Sequence, residues 1–362
     1  MNISSWNTAF CRAGDGWSDD KVVPVVSIIT TAFNQAPFME RCVGSVLAQT
    51  FAEWEQIIID DGSTDGTARL AASFGDARVK CIRQENKGIF RLRESYNLAL
   101  RMARGDFIAV LEGDDAWPPE KLETQLGIFG PGDRVLSWGL AGVIDRNDRR
   151  LGVIPVRRRM PDFSKDQLDY LLLANPIPAV TVVARRAALL SIGGFRQPAG
   201  VPYVDYPTWT ALAAKGKFQF INKVLGHWRK HSAQVTASMD VEAARRMNDC
   251  LVSVFDSLRP ERKKGLSLSR RDILRNNKRN AASAALRRCR MEMLKSNWKG
   301  GRSYARQCLA AGSWRTRLWS ALSIAASCAH IDMDLLASCL TGDYMDGERA
   351  EKPRREDRVS HN

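Results

Sequence analysis

Long apolar runs, paired cysteines, a glycine fingerprint and an abundance of histidine are all missing from this 362-residue chain. Each absence removes a class of protein. A membrane-spanning helix needs about 20 consecutive apolar residues. The nearest candidate, from Leu318 onward, is interrupted by His330, Asp332 and Asp334. The 8 cysteines stand at 11, 42, 81, 250, 289, 308, 328 and 339 with no Cys-x-x-Cys. Neither a disulfide framework nor a zinc site follows from that spacing, and a reduced, cytoplasmic setting is expected. The first 20 residues carry Asp15, Asp19 and Asp20 and lack the basic start and apolar centre of a secretion signal. No Gly-x-Gly-x-x-Gly follows the first apolar run, which disfavours a dinucleotide-dependent oxidoreductase. No internal repeat is present.

What is there begins with charge. The net charge of +14 has one source, because residues 259–317 hold 18 Lys or Arg and 3 acidic residues. A solvated helical face, an anionic membrane surface, a phosphate-bearing acceptor or nucleic acid would each suit such a stretch. Aromatic residues are not interleaved with the basic run as a stacking platform requires, so no nucleic-acid partner is expected. From residue 313, Trp314, Leu318, Trp319 and Leu322 recur at helical spacing near Arg315 and Arg317. That stripe either packs inward or lies in a membrane interface.

Between residues 22 and 130 strands and helices alternate. Residues 25–31 read as a buried strand, and 54–59, 78–83 and 106–111 as the next three strands. Residues 37–49, 63–74, 92–104 and 118–129 read as helices, the second capped by Ser63 or Thr64 and the last opened by Pro118-Pro119. Such alternation predicts a parallel sheet covered on both faces. Residues 135–145 and 151–156 suggest a hairpin around Asn147-Asp148, with helices at 164–173, 185–191 and 207–214 and strands at 179–184 and 217–225. Residues 241–340 predict several helices, and 342–362 a disordered charged tail.

Two acidic clusters end apolar runs: Asp60-Asp61-Gly62-Ser63 after Ile57-Ile58-Ile59, and Glu112-Gly113-Asp114-Asp115 after residues 107–111. Ligands of open α/β sheets gather at the carboxyl ends of the strands. A carboxylate at the first position accepts hydrogen bonds from a base or ribose, or caps a helix. Three carboxylates in four residues repel one another at a buried strand end unless a cation neutralises them, and Mg²⁺ or Mn²⁺ suits such oxygen donors. An exposed acidic turn is the plainer alternative. The pair of clusters points to a nucleotide-using enzyme.

These motifs carry a family resemblance. Residues 26–34 (Val26 to Asn34), Ser45-Val46-Leu47-Ala48-Gln49-Thr50, and Asp60 through Thr67 resemble family 2 glycosyltransferases, which have the nucleotide-sugar-binding GT-A fold. So do Asn86-Lys87-Gly88, Ser95-Tyr96-Asn97 and Leu111-Glu112-Gly113-Asp114-Asp115-Ala116-Trp117. The match is dense over residues 25–126 and thinner to 236. It implies an α/β fold of GT-A type, a mainly parallel sheet with helices on both faces, extended by an all-helical C-terminal region.

The resemblance also implies roles. Thr31, Asn34, Asp60, Asp61, Arg93, Glu112 and Asp114 would bind the donor nucleotide, and Asp114, Asp115 and His231 a divalent cation, Mn²⁺ or Mg²⁺. Glu112 stands where aspartate is usual. Val204-Asp205 stands where the family commonly has Glu-Asp, leaving Asp205 as catalytic base, or as the cap of the helix after it. His227-Trp228-Arg229-Lys230-His231 is similar to a Tyr-Arg-x-His segment, with Arg229 a candidate for the diphosphate.

The expected division is an N-terminal extension (1–21), donor-binding half (22–130), acceptor-binding half (131–238), basic helical region (239–340) and charged tail (341–362). The expected activity is inverting transfer from a nucleotide-diphosphate sugar, a UDP-sugar first, to a saccharide or lipid-linked acceptor in surface polysaccharide or glycolipid synthesis. The expected location is cytoplasmic, with peripheral contact on the anionic inner face of the cell membrane. A nucleotidyltransferase-like enzyme and a basic nucleic-acid-binding protein are the alternatives.

Overall fold

The computed structural model describes residues 23–129, 133–154, 166–231, 241–311 and 314–328. The expected N-terminal extension and charged tail lie outside them. The described chain forms two compact units that divide after residue 277.

The first unit is built on an eight-stranded sheet. Its strands are β1 (Val26–Ala32), β2 (Trp54–Asp60), β3 (Val79–Arg83), β4 (Phe107–Val110), β5 (Arg134–Ile144), β6 (Arg150–Ile154), β7 (Val183–Arg185) and β8 (Lys217–Arg229). The order is β3-β2-β1-β4-β7-β5-β6, with β8 paired to β5. β1 to β4 run parallel, while β7 lies antiparallel between β4 and β5. Every residue of β1 and β2 is buried, so no polar-out alternation is visible in the sequence, and the polar side chains within them pair with each other: Ser27 donates to Glu55, and Gln56 to Thr30.

Helices α1 (Ala36–Leu47), α2 (Thr67–Ala72), α3 (Leu92–Met102) and α4 (Lys121–Leu126) fill the crossovers. Ile29, Ile57 and Ile108 look into one core with Tyr96, Trp138 and Trp209. Val26, Ile28 and Ala109 look into the other with Trp54 and Trp117. Further along are α5 (Gln167–Leu171), α6 (Arg186–Ser191), α7 (Asp205–Ala213), α8 (Val241–Ser257) and α9 (Pro260–Lys264). α8 adds Met247, Leu251 and Phe255 to the first core.

Several boundaries differ from the sequence reading for local reasons. α2 starts at Thr67, not after a Ser63 or Thr64 cap: the Asp65 carboxylate accepts from Thr67 N at 2.9 Å, and Ser63 turns back to Asp60. α4 starts at Lys121, because the backbone carbonyls of Pro118 and Pro119 accept from Gln49 Nε2 and Thr50 N in the preceding loop. α3 stops at Met102, where Ala103 turns extended. Residues 179–184 divide into a 3₁₀ turn (Ala179–Thr181) and β7. β8 runs 4 residues past 225, to Arg229.

Helices α10 (Arg270–Leu294), α11 (Trp298–Ala311) and α12 (Trp314–Cys328) complete the described chain. The second unit has its own core of Cys289, Met293, Ala305 and Ala326. No described helix is long and apolar enough to cross a membrane.

Candidate active site

The strand register decides where the chemistry sits. Ala32 pairs with Asp60, Asp60 with Arg83, and Ile29 with Val110, so the carboxyl ends of β1, β2 and β4 lie side by side. The chain runs outward from β1 through β2 to β3 and then crosses back to β4 on the other side of β1, the switch point where α/β sheets bind ligands. Both acidic clusters emerge there. Thr31 joins them, its carbonyl accepting from Gly113 N at 3.1 Å, and Ala32 O accepts from Asp61 N at 2.8 Å.

The first cluster shapes a loop. Asp60 is fully buried, accepts from the Ser63 hydroxyl and amide, and lies 3.5 Å from Arg83 Nε. Burial pushes its carboxyl above the ordinary range, against the pull of those partners. Asp61 accepts from Gln84 Nε2 (2.6 Å), Lys87 N (3.0 Å) and Gly88 N (3.1 Å), holding the loop after β3. Asn34 adopts φ 52°, and its side-chain carbonyl accepts from Thr64 N at 2.8 Å. Gly62 has φ +76°, and a Cβ there would come within 2.8 Å of Asn86 N. Arg93 is exposed on the first turn of α3.

The second cluster gathers three carboxylates. Ligand oxygens of Glu112, Asp114 and Asp115 lie within 4.8 Å of one another. Tyr96 donates its hydroxyl to Glu112 Oε1 at 3.0 Å. Burial first, then the charges of Asp114 and Asp205, raise the Glu112 carboxyl to about 8. Burial, then the charges of Asp114 and Glu112, raise Asp115 well above its ordinary value. Asp115 Oδ1 accepts from Arg229 N at 2.9 Å, while its buried Oδ2 has no hydrogen-bond partner among the described residues. His231 Nε2 sits 2.8 Å from Asp114 Oδ2, its ring 4.9 Å from Phe38.

These residues fit a divalent cation. Two buried carboxylates and the half-buried Glu112, with an imidazole at the edge, make a hard-ligand cluster whose like charges call for neutralisation.

β8 carries the far wall. His227 and Ala116 exchange backbone hydrogen bonds (2.7 and 3.2 Å), tying the acidic loop to the strand. The expectation that Arg229 meets a diphosphate does not match its placement. The side chain is 1% exposed, and its guanidinium donates to Asp114 O (2.7 Å), Asp145 O (2.8 Å) and Asp148 Oδ1 (2.7 Å). Arg229 clamps the acidic loop to the β5–β6 turn.

Asp205 is the first residue of α7, after Val204 at the cap position, and its carboxylate takes backbone hydrogen bonds from the turn it opens. Its Oδ2 accepts from Asn175 Nδ2 at 2.8 Å, and burial raises its carboxyl. Its charge raises both Glu112 and Tyr96, which places its carboxylate within electrostatic reach of the acidic cluster. Asn175 gave no sequence signal, since it lies in an irregular Pro-flanked stretch. Tyr96 lay inside the Ser95-Tyr96-Asn97 motif without an assigned role. Asn97 in the same motif bonds both Phe195 N (2.8 Å) and Phe195 O (2.9 Å), docking the segment that leads to Asp205.

Comparison with known proteins agrees with this geometry. The family described as Glycosyl transferase family 2 matches residues 27–189. UDP-Glc:alpha-D-GlcNAc-diphosphoundecaprenol beta-1,3-glucosyltransferase WfgD of Escherichia coli is 31% identical over 202 residues, 55% of this chain and 73% of that protein. Chondroitin synthase of Escherichia coli is 34% identical over 207 residues, 56% of this chain. The match spans only 29% of that longer synthase. Among solved structures, S. aureus TarS 1–349 in complex with UDP-GlcNAc shares the fold, with TM-score 0.52 over 90% of this chain and 94% of that one, at 15% identity. The chain belongs to glycosyltransferase family 2. It is a glycosyltransferase with a GT-A-like α/β domain and a helical C-terminal region.

Proposed function

We propose that the enzyme transfers a sugar from a nucleoside-diphosphate sugar to an acceptor hydroxyl with inversion at the anomeric carbon. Residues 22–130 form the donor half and 131–238 the acceptor half. The observation that carries this reading is the cluster of Glu112, Asp114 and Asp115, with the separate carboxylate of Asp205 near enough for its charge to raise Glu112.

In this account Asp60 and the loop held by Asp61, Asn34 and Thr31 receive the nucleoside. Asp114 and Asp115, with His231 at the edge, hold a divalent cation, and Glu112 stands beside them. The cation, when bound, neutralises charge that develops on the departing diphosphate. Tyr96 orients Glu112 through its hydroxyl. Asp205, steadied by Asn175, removes the proton from the acceptor hydroxyl as its oxygen attacks from the face opposite the leaving group. Arg93, exposed at the start of α3, is the cation left to approach the diphosphate once Arg229 is committed elsewhere.

The names of WfgD and TarS favour a UDP-sugar as donor, and WfgD and chondroitin synthase favour a lipid-linked or saccharide acceptor. Surface glycolipid or polysaccharide synthesis at the inner face of the membrane is the setting that suits such an acceptor.

A thermal-shift panel of UDP-, GDP- and dTDP-sugars, each with and without Mn²⁺, tests the proposal. One nucleotide class should raise Tm only when the cation is present, and Asp114→Ala should remove most of that rise. Equal stabilisation without cation, or indifference to the whole panel, would refute it.

A further inference from the structure

Helix α12 is built the wrong way round for a helix in water. Its buried positions hold Ser320, Ser323 and Ser327 with Ala326. The three serine hydroxyls donate to carbonyls of their own helix, those of Thr316, Trp319 and Ile324. Its exposed positions are Trp314, Arg317, Leu318, Ala321, Leu322, Ala325 and Cys328. At 3.6 residues per turn these span an arc of about 140°. Trp314 is 70% exposed, Leu318 52% and Leu322 37%. The stripe that the sequence left free to pack inward or outward faces outward, apart from half-buried Trp319. Neighbouring α11 has the ordinary arrangement, with Lys299, Ser303, Arg306 and Gln307 outward.

Charge says what kind of surface suits this face. Residues 278–328 contain 11 Lys or Arg and a single acidic residue, Glu292. Glu292 is buried, accepts from Asn297 Nδ2 at 2.6 Å, and is ion-paired with Arg288 at 2.8 Å. Among the described residues, the second unit therefore offers solvent no exposed carboxylate. An outward apolar stripe on a cationic helical unit is complementary to anionic headgroups lying over acyl chains.

We propose that α12 lies in the interface of an anionic lipid bilayer, inserting Trp314, Leu318 and Leu322, with Arg317 and the cationic surface of the second unit at the phosphate level. This attachment is independent of the catalytic reading and needs no donor or cation at the active site.

Co-sedimentation of the full chain with phosphatidylcholine vesicles, alone or containing phosphatidylglycerol, measures it. Binding should require the anionic lipid and weaken at least about fivefold when salt rises from about 0.05 to 0.5 M, since the Debye length shrinks severalfold. Leu318→Asn with Leu322→Asn should lower the partition coefficient at least about tenfold, as expected for removing two apolar anchors. Arg306→Glu with Arg317→Glu, which leaves the apolar face intact, should do the same on anionic vesicles only. Circular dichroism and the nucleotide-induced thermal shift should stay unchanged in both pairs. Three outcomes would overturn the proposal: no vesicle binding, binding undiminished in both pairs, or self-association that Leu318→Asn abolishes with no lipid affinity.

Discussion

Asp205 shows how one side chain's environment prepares it for chemistry. Burial favours its neutral form and raises its pKa above the ordinary 3.8, so its ionised, proton-accepting form is won only at higher pH. The sign follows directly. The folded protein holds this proton more tightly than the unfolded chain, so ionised Asp205 costs stability above its folded pKa, and the cost vanishes below the unfolded value. Asp205→Asn keeps an acceptor for Asn175 and removes the buried charge. It should abolish turnover, by about 10³-fold or more for loss of a general base, while leaving Tm unchanged or higher at neutral pH. A steady-state assay beside a melting curve checks this; retained turnover would remove Asp205 as the base. The wild-type rate should fall at acid pH through a pKa above the usual aspartate range.

Glu112 obeys the same sign. Its pKa of about 8 against an ordinary 4.5 means that its ionised form costs the cation-free protein stability, fully above pH 8 and progressively less down to pH 4.5. Glu112→Gln should therefore raise the Tm of the cation-free enzyme more at pH 9 than at pH 6. A gain that does not grow with pH would contradict the electrostatic account.

Among the elements, β8 does more than close the sheet. It delivers Arg229 to a position where one buried guanidinium holds the acidic loop at Asp114 O and the hairpin at Asp145 O and Asp148. Replacing it strands the buried Asp114 carbonyl, at about 1–3 kcal/mol, and also removes the bonds to the half-buried Asp145 carbonyl and the exposed Asp148 carboxylate. Arg229→Met should lower unfolding stability by roughly 2–4 kcal/mol in urea titration, with weakened Mn²⁺ binding as the loop loosens. A stable variant with intact cation affinity but a raised KM for donor would return Arg229 to the diphosphate.

The sequence showed that an arginine stands near the site but not which partners it takes, because those come from a turn 81 residues away. The parallel strands were legible, since β1, β2 and β4 contain the apolar runs Ile28-Ile29, Ile57-Ile58-Ile59 and Ile108-Ala109-Val110, and acidic clusters follow β2 and β4. Helix starts were less so. Long-range bonds decided them: Asp65 also accepts from Ala36 N, and Gln49 bonds the Pro118 carbonyl, neither visible within one helix's own sequence.

At the scale of the molecule, the motifs and the sheet describe the first unit well because ligand contacts and close packing constrain residue type there. The acceptor side was harder. Asp205 could be picked from Val204-Asp205, but its partner Asn175 comes from a stretch without periodicity. The second unit shows what periodicity alone leaves open. Trp314, Leu318 and Leu322 recur at helical spacing, and only the packing of α12 reveals that serines face in and the apolar stripe faces out.

The central claim is that the carboxylates after β4 hold a cation that also holds the nucleotide. Electron paramagnetic resonance of Mn²⁺ titrated into the enzyme measures it directly. With UDP present, the free-ion signal should be depleted with one strong site per chain, and Asp114→Ala should weaken that site by at least about tenfold, matching loss of a charged ligand. Mn²⁺ uptake that is indifferent to both the nucleotide and Asp114 would contradict the account.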